Sequence, residues 1–439
     1  GRAVPEEGPP LKLHSRTRQA SSRLVTNVAG LGLSLGLSLL VARQLGPACK
    51  GLYEYAQALT LLGVTVLGLG FDSAVVYAIS ARKISPSRAT TLLLLETLLV
   101  AILSLIVLLS NPAGLTEALL GSRQLSLVLP AWAALCGWLI ASQLSAVLRA
   151  EERIGECNWS LLLFRAGPVS LFGLAAILGR ASTDKAVLAL AASAWLAAGW
   201  TLWRLVQSGD FRLGRFSWKD LLLLLRLGPP LQAGLIAQSL SYRLGMWFVG
   251  AHISLEAVGI YTVALAVAQS LRFVPESVVF ALLPRLASAN STTSADRLAA
   301  RSTLLTTGAT ILGVAVAWLL APWALPALFG SDFAPAVPLL GWLLPGVVLA
   351  SVLKLLGNSL MARRRPGLFV IASALGLLVN WSVCAVFTPS LGMKAAALGL
   401  TAGNAANALW CLGCFLVLRS QSESTRIEAP QLSAAGGEA

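Results

Sequence analysis

Twelve separate stretches of this sequence are each long and apolar enough to cross a bilayer: 24–42, 52–79, 90–110, 125–148, 157–179, 186–203, 221–249, 255–284, 303–325, 335–361, 367–387 and 395–418. A hydrocarbon core about 30 Å thick needs roughly 20 apolar residues per helix. Inside it the backbone must satisfy its own hydrogen bonds, so only helices and closed barrels can span. Barrel strands would read as short alternating segments, whereas these runs are long and nearly unbroken. Composition agrees: 56% of the 439 residues are apolar and 12% are charged, about half the charged fraction of a soluble domain. A soluble globule, a disordered chain and a disulfide scaffold are excluded. The expected fold is an all-α integral membrane protein of about twelve transmembrane helices.

The loops set the orientation. Of the 33 Lys and Arg residues, 22 fall on the side that holds the N-terminus, 6 on the other side (Arg43, Lys50, Arg123, Arg180, Lys185 and Lys394) and 5 inside spans. Cytoplasmic loops concentrate Lys and Arg, so both termini are expected in the cytoplasm. The net charge of +14 then reflects topology, and no nucleic-acid partner is expected. Residues 1–22 lack an apolar core followed by a cleavage site, so no signal peptide is read. The basic tail also suits contact with anionic membrane lipids.

The two halves repeat. Gly51-Leu52-Tyr53 matches Gly259-Ile260-Tyr261 at an offset of 208, and the Leu148–Gly155 segment matches Leu360–Gly367 at an offset of 212. Six spans per half is an even number, so the halves share one topology and are related by an axis along the membrane normal, with a site expected between them. The expected organisation is a tail (1–22), a first lobe (23–207), a linker (208–220), a second lobe (221–418) and a C-terminal tail (419–439). Gln44–Tyr53 is read as the loop between spans one and two.

Ionisable residues inside a membrane are costly and mark function by default. Nine fall in the spans: Glu54, Asp72, Glu96, Arg165, Arg226, Arg243, Arg272, Glu276 and Lys354. Arg226 and Glu54 lie near span ends and also suit snorkelling, and Glu96 suits a structural partner between helices. At about 100° per residue, Tyr261, Gln269, Arg272 and Glu276 form one stripe on span eight, and Gln232, Ser239 and Arg243 form another on span seven. Asn27, Ser34 and Ser38 form a third on span one, and Lys354 and Asn358 sit one turn apart on span ten. Arg272 and Glu276 have the spacing of an ion pair. Lipid cannot accept such faces, so they must meet each other or a wet cavity.

The second half carries a net +3 of embedded charge and the first a net −2. A cationic lobe suits an anionic head group such as pyrophosphate, whose oxygens Arg engages bidentately. The candidate substrate-binding residues are Arg243, Arg272, Lys354, Arg165, Gln269, Tyr261, Gln232 and Asn27. The acidic groups Glu54, Asp72 and Glu276 are candidates for coupling to H⁺ or Na⁺. Glu54 and Asp72 are five helical turns apart and would share a face. Pro168, Pro229-Pro230, Pro275 and Pro345 are expected to break their helices locally.

No metal-protease, nucleotide-loop or paired Cys/His motif occurs, and the short loops leave no room for a catalytic domain. No metal, no cofactor and no enzymatic activity are expected. Cys411-Leu-Gly-Cys414 lies in an apolar run and reads as helix packing, as does Gly30-Leu-Gly-Leu-Ser-Leu-Gly36.

The segment Leu40–Leu59, with Gly68-Leu-Gly-Phe-Asp72, Val258–Ala264, Pro275 and Leu283-Pro-Arg-Leu286, resembles the polysaccharide (O-antigen type) flippases of the multidrug/oligosaccharidyl-lipid/polysaccharide exporter superfamily. The resemblance extends over the whole chain in length and span count. It implies a V-shaped, pseudo-twofold transporter working by alternating access. Such a protein moves undecaprenyl-pyrophosphate-linked oligosaccharide across a bacterial inner membrane, alongside the polymerase and chain-length proteins of the same pathway. The family's cationic cavity agrees with Arg243, Arg272 and Lys354. The alternatives are a drug/cation antiporter of the same superfamily, a lipid II flippase and, in another class, a membrane polysaccharide polymerase.

Overall fold

The structure, a computed structural model, describes residues 13–111, 114–122, 124–209, 211–273, 275–276, 278, 292–362 and 366–435. Thirteen α-helices and no strands occur among them: α1 (Leu13–Leu67), α2 (Phe71–Ser80), α3 (Pro86–Ser110), α4 (Leu115–Leu120), α5 (Leu125–Ala150), α6 (Ile154–Ile177), α7 (Thr183–Gln207), α8 (Trp218–His252), α9 (Leu255–Ser270), α10 (Thr292–Phe329), α11 (Ala336–Ala362), α12 (Pro366–Leu391) and α13 (Met393–Ala435). Ten of these are long and apolar enough to cross a membrane. The first of the ten, α1, carries the first expected span and the first part of the second, and the shorter α9 supplies most of the described part of the eighth. Residues 1–12 of the basic tail, the Leu283–Leu286 motif, Arg363–Arg365 and the Asn358 side chain lie outside the described residues.

The expected loop Gln44–Tyr53 is helical on both sides of one residue. Gly46 takes φ 75° and ψ 179°, a conformation essentially confined to glycine, and Pro47 then opens the second arm at a position that needs no N–H donor. One core cluster joins Leu37 and Val41 of the first arm to Tyr53 and Ala56 of the second, as a helical hairpin folded at Gly46 requires. Lys50, expected on an outer loop, is therefore inside the second arm and fully buried. The expected single span 52–79 is divided, because Leu69 (φ 48°) and Gly70 (φ 71°) are left-handed and end α1 before α2 begins.

At three of the four sites the prolines behave otherwise than expected. Helices α6, α8 and α11 run through Pro168, Pro229-Pro230 and Pro345. Interruptions fall instead at Gly46 and at Leu69-Gly70, where the backbone itself leaves helical geometry, and α9 ends at Ser270, five residues before Pro275.

Large apolar side chains such as Leu304, Leu312, Leu319 and Trp323 of α10 are exposed, and they form the surface that lipid covers. Polar side chains turn inward and join helices. Asn380 Nδ2 donates to the Ser241 carbonyl (2.7 Å) and hydroxyl (2.9 Å), and Asn404 Nδ2 to the Gly346 carbonyl (3.1 Å). Gln143 Nε2 donates to Glu96 (2.9 Å), which ties α5 to α3. Arg226 is exposed.

The two halves cross at their repeated motif. A Cβ built on Gly51 would meet the Leu255 carbonyl group, and one on Gly259 would meet that of Pro47. Each glycine faces a carbonyl four residues before the other glycine, as a pseudo-twofold crossing of α1 and α9 demands. A second approach joins α2 to α8. There a Cβ on Gly70 would lie 2.5 Å from the Gly228 oxygen, and Gln232 Nε2 donates to the Thr65 carbonyl at 3.3 Å. The segment between α7 and α8 is tied to α3, since the Gly214 N–H donates to the Ser87 carbonyl and Thr91 Oγ1 to the Gly214 carbonyl, both at 3.1 Å. Gly51→Val and Gly259→Val should each destabilise the fold by about 1–3 kcal/mol, the usual cost of overpacking. Gly36→Ala, whose Cβ meets nothing within 4 Å, should be neutral. Melting temperatures in detergent check this, and unchanged values for the two valine variants would contradict the crossing.

Candidate functional site

Where the halves meet, residues of α1 and α5–α9, with Phe273 and Glu276 just beyond α9, enclose a cavity of about 430 Å³. The inward stripes of three spans converge on it. Asn27, Ser34 and Ser38 come from the first arm of α1, Arg243 from α8, and Gln269, Arg272 and Glu276 from α9 and the residues after it. Arg165 projects from the middle of α6. Lys50, Tyr53, Glu54 and Gln57 come from the second arm of α1.

The charges in this wall are Lys50, Arg165, Arg243 and Arg272 against Glu54 and Glu276, so the lining carries a net positive charge. Glu54 holds two cations. It pairs with Lys50 one turn earlier on its own helix and lies 3.8 Å from Arg243 of the other half. All three side chains are withdrawn from solvent, with 0%, 9% and 17% of their surfaces exposed. In so dry a place, charges persist only when paired. Arg43, in the same region, donates to the Ala327 carbonyl of the second half. Tyr55 Oη approaches the Met246 carbonyl at 3.5 Å. The halves are thus sealed at this end of the cavity.

The opposite end is looser. Arg272 lies 3.5 Å from Glu276, the expected i,i+4 pair, and its guanidinium sits 4.2 Å from the centre of the Tyr242 ring. Arg165 has no ion-pair partner among the described residues. A Cβ on Gly30 would press into its side chain, at 2.8 Å from Cδ, so that glycine lets the guanidinium lie against α1. Gly32 and Gly36 face open space. Of the expected packing run, only Gly30 is closely packed.

Other candidates lie elsewhere. Asp72 does not share a face with Glu54, because the left-handed break at Leu69-Gly70 separates their helices. It pairs instead with Arg149 at 3.1 Å. Tyr261 is fully buried against Gly245 and is not part of the cavity lining. Gln232 serves the α1–α8 contact, and Lys354 lies outside the cavity lining. The sequence reading missed Lys50, Tyr53, Gln57, Trp138 and Phe164 as lining residues. Lys50 had a readable signal in its position four residues before Glu54, but the assumed loop hid it.

The sequence profile of the polysaccharide biosynthesis protein family matches residues 17–290. Among curated proteins, none matches. Solved structures share the fold at low identity. The lipid II flippase MurJ in an inward closed conformation superposes with a TM-score of 0.75 at 14% identity, covering 91% of this chain and 90% of its own. An inward-facing multidrug resistance MATE family transporter of the MOP superfamily gives 0.70 at 15% identity, over 91% and 95%. An outward-facing MATE family transporter gives 0.65 at 16%, over 92% and 96%. The fold is shared with these MATE and MurJ structures.

Removing the carboxylate that holds two buried cations should be severe. Glu54→Leu is expected to cost about 3–5 kcal/mol, as for other broken buried pairs. Adding Lys50→Met should recover part of this, giving a coupling of at least about 1 kcal/mol in a double-mutant cycle. Thermal unfolding of the single and double variants measures it, and simple additivity would show that the pair is not coupled.

Proposed function

The chain belongs to the polysaccharide biosynthesis protein family, and from that premise we propose that it is a flippase. Its cargo is undecaprenyl-pyrophosphate-linked oligosaccharide, moved from the cytoplasmic to the outer leaflet of a bacterial inner membrane by alternating access. The observation that carries this reading is the cavity between the halves. It sets Lys50, Arg165, Arg243 and Arg272 within one space walled by apolar helices. A diphosphate entering it would exchange water for charge-assisted hydrogen bonds, and these are strong where the dielectric is low. Arg165, which makes no salt bridge among the described residues and shares the field of Glu276 with Arg272, is a cation open to such a ligand.

The cargo is anionic at one point and amphipathic elsewhere. The halves would seal in turn at either end, with the contacts of Lys50, Glu54 and Arg243 closing one of them. The charge of the loops supports cytoplasmic termini. Coupling to H⁺ or Na⁺ would use Glu54 or Glu276, the two carboxylates in the cavity wall; Asp72 is held by Arg149 outside it. A polymerase and chain-length proteins of the same pathway are the natural partners. A cationic drug is disfavoured as cargo, because the cavity is net positive and both of its acids are paired with arginine or lysine. The same chemistry would also serve a lipid II flippase.

In a strain carrying Arg165→Ala or Arg272→Ala as its sole copy, lipid-linked oligosaccharide should accumulate on the inner leaflet, with surface polysaccharide reduced at least about tenfold. Mass spectrometry of membrane extracts and leaflet-specific labelling read both quantities. Normal surface polysaccharide with both variants would refute the cationic site, and accumulation on the outer leaflet would indicate a role after flipping. Single cysteines at Ser85 and Ser182 should be labelled by impermeant reagents from opposite sides, Ser182 from outside. The reverse pattern would invert the topology.

A further inference from the structure

The cavity contains a second kind of chemistry that the cations do not use. Trp138 of α5 and Phe164 of α6 lie in its wall with their rings stacked, centroids 3.9 Å apart and planes 13° from parallel. Around them, the first half supplies uncharged polar groups. Asn27, Ser38, Tyr53 and Gln57 all line the cavity. Ser38 and Tyr53 are more than nine-tenths buried, and neither hydroxyl makes a hydrogen bond among the described residues.

Buried polar groups are almost always paired, and each one left unmet costs about 1–3 kcal/mol. Other hydroxyls, such as those of Tyr261 and Ser373, are unmet elsewhere among the described residues, but Ser38 and Tyr53 border a cavity, where they suit a ligand that brings donors and acceptors of its own. A prenyl chain would leave them unsatisfied, and a bare diphosphate would have no use for an aromatic stack. A sugar ring answers both features. Its polarised C–H face suits the negative face of an aromatic ring, and its rim of hydroxyls pairs with amide and hydroxyl side chains.

We propose that the Trp138–Phe164 stack, with Tyr53, Ser38, Asn27 and Gln57, is a saccharide subsite that holds a sugar ring of the cargo next to the diphosphate. The inference rests on the flippase reading and adds to it a division of labour. The aromatic, amide and hydroxyl groups of the first half recognise the sugar, and the arginines of both halves, Arg165, Arg243 and Arg272, hold the charge. Selectivity among saccharides then resides in α1, α5 and α6. A site built to hydrogen-bond hydroxyls discriminates against a ligand that lacks them, because its own groups are stranded.

The test uses the full-length protein in lipid nanodiscs and two probes, undecaprenyl pyrophosphate and undecaprenyl-pyrophosphoryl-N-acetylglucosamine. Wild-type protein should bind the glycosylated probe more tightly. Trp138→Leu should weaken that binding at least about tenfold while leaving the bare lipid within about twofold. Tyr53→Phe, which keeps the ring and removes only the hydroxyl, should act in the same direction with a smaller effect. Trp138→Phe should retain most of the preference. Arg272→Ala should weaken both probes alike. Equal weakening of the two probes by Trp138→Leu and Tyr53→Phe, or no preference in the wild type, would overturn the subsite and leave the flippase reading standing. Failure of the wild type to bind either probe would overturn both.

Discussion

One carboxylate, that of Glu54, is shared between a lysine of its own helix and an arginine of the other half of the chain. It sits close to where α1 and α9 cross, and the rest of the site is arranged around it. Without a counter-charge, Lys50 and Arg243 would be cations stranded in a dry interior. With it they are tolerated there and available to an anion that competes for them. The crossing is close because glycines meet backbone at the two equivalent positions, Gly51 and Gly259. Backbone approach and charge neutralisation therefore support one another at the same end of the cavity.

A bilayer inverts the usual economy of side chains. Lipid rewards apolar residues on the outside, so leucines and tryptophans are spread over the surface of α10. The polar residues gather where helices face one another. Most of them are spent on structure: Asn380 with Ser241, Asn404 with Gly346, and Gln143 with Glu96. The groups in the central cavity differ in being charged as well as polar, and some of them are unmatched. Arg165 makes no salt bridge, and the hydroxyls of Ser38 and Tyr53 make no hydrogen bond, among the described residues. A pocket that is cationic and aromatic, with two unmet hydroxyls in its wall, suits the proposed ligand, which carries both phosphate and sugar.

Much of this was legible in the residues. The spans and the doubling of the chain followed from apolar run length and the repeated Gly-x-Tyr motif. The stripes on spans one, seven and eight followed from helical phase, and the structure turns members of all three toward one space. Helical phase fails where the helix does. Glu54 and Asp72 are in phase by arithmetic, yet two left-handed residues at positions 69 and 70 part them. The prolines misled in the opposite sense, since α6, α8 and α11 continue through Pro168, Pro229-Pro230 and Pro345.

The sequence by itself determined that this chain is helical, membrane-embedded and doubled, because hydrophobic run length and loop charge are local quantities that need no partner to be read. The tertiary structure alone decided which charges meet, that Lys50 belongs to the interior, and that Trp138 and Phe164 share a wall with the arginines. Those facts depend on how α1 folds back at Gly46 and on how closely two glycines let the halves approach. They are distances between residues as many as two hundred positions apart, and no local pattern encodes them.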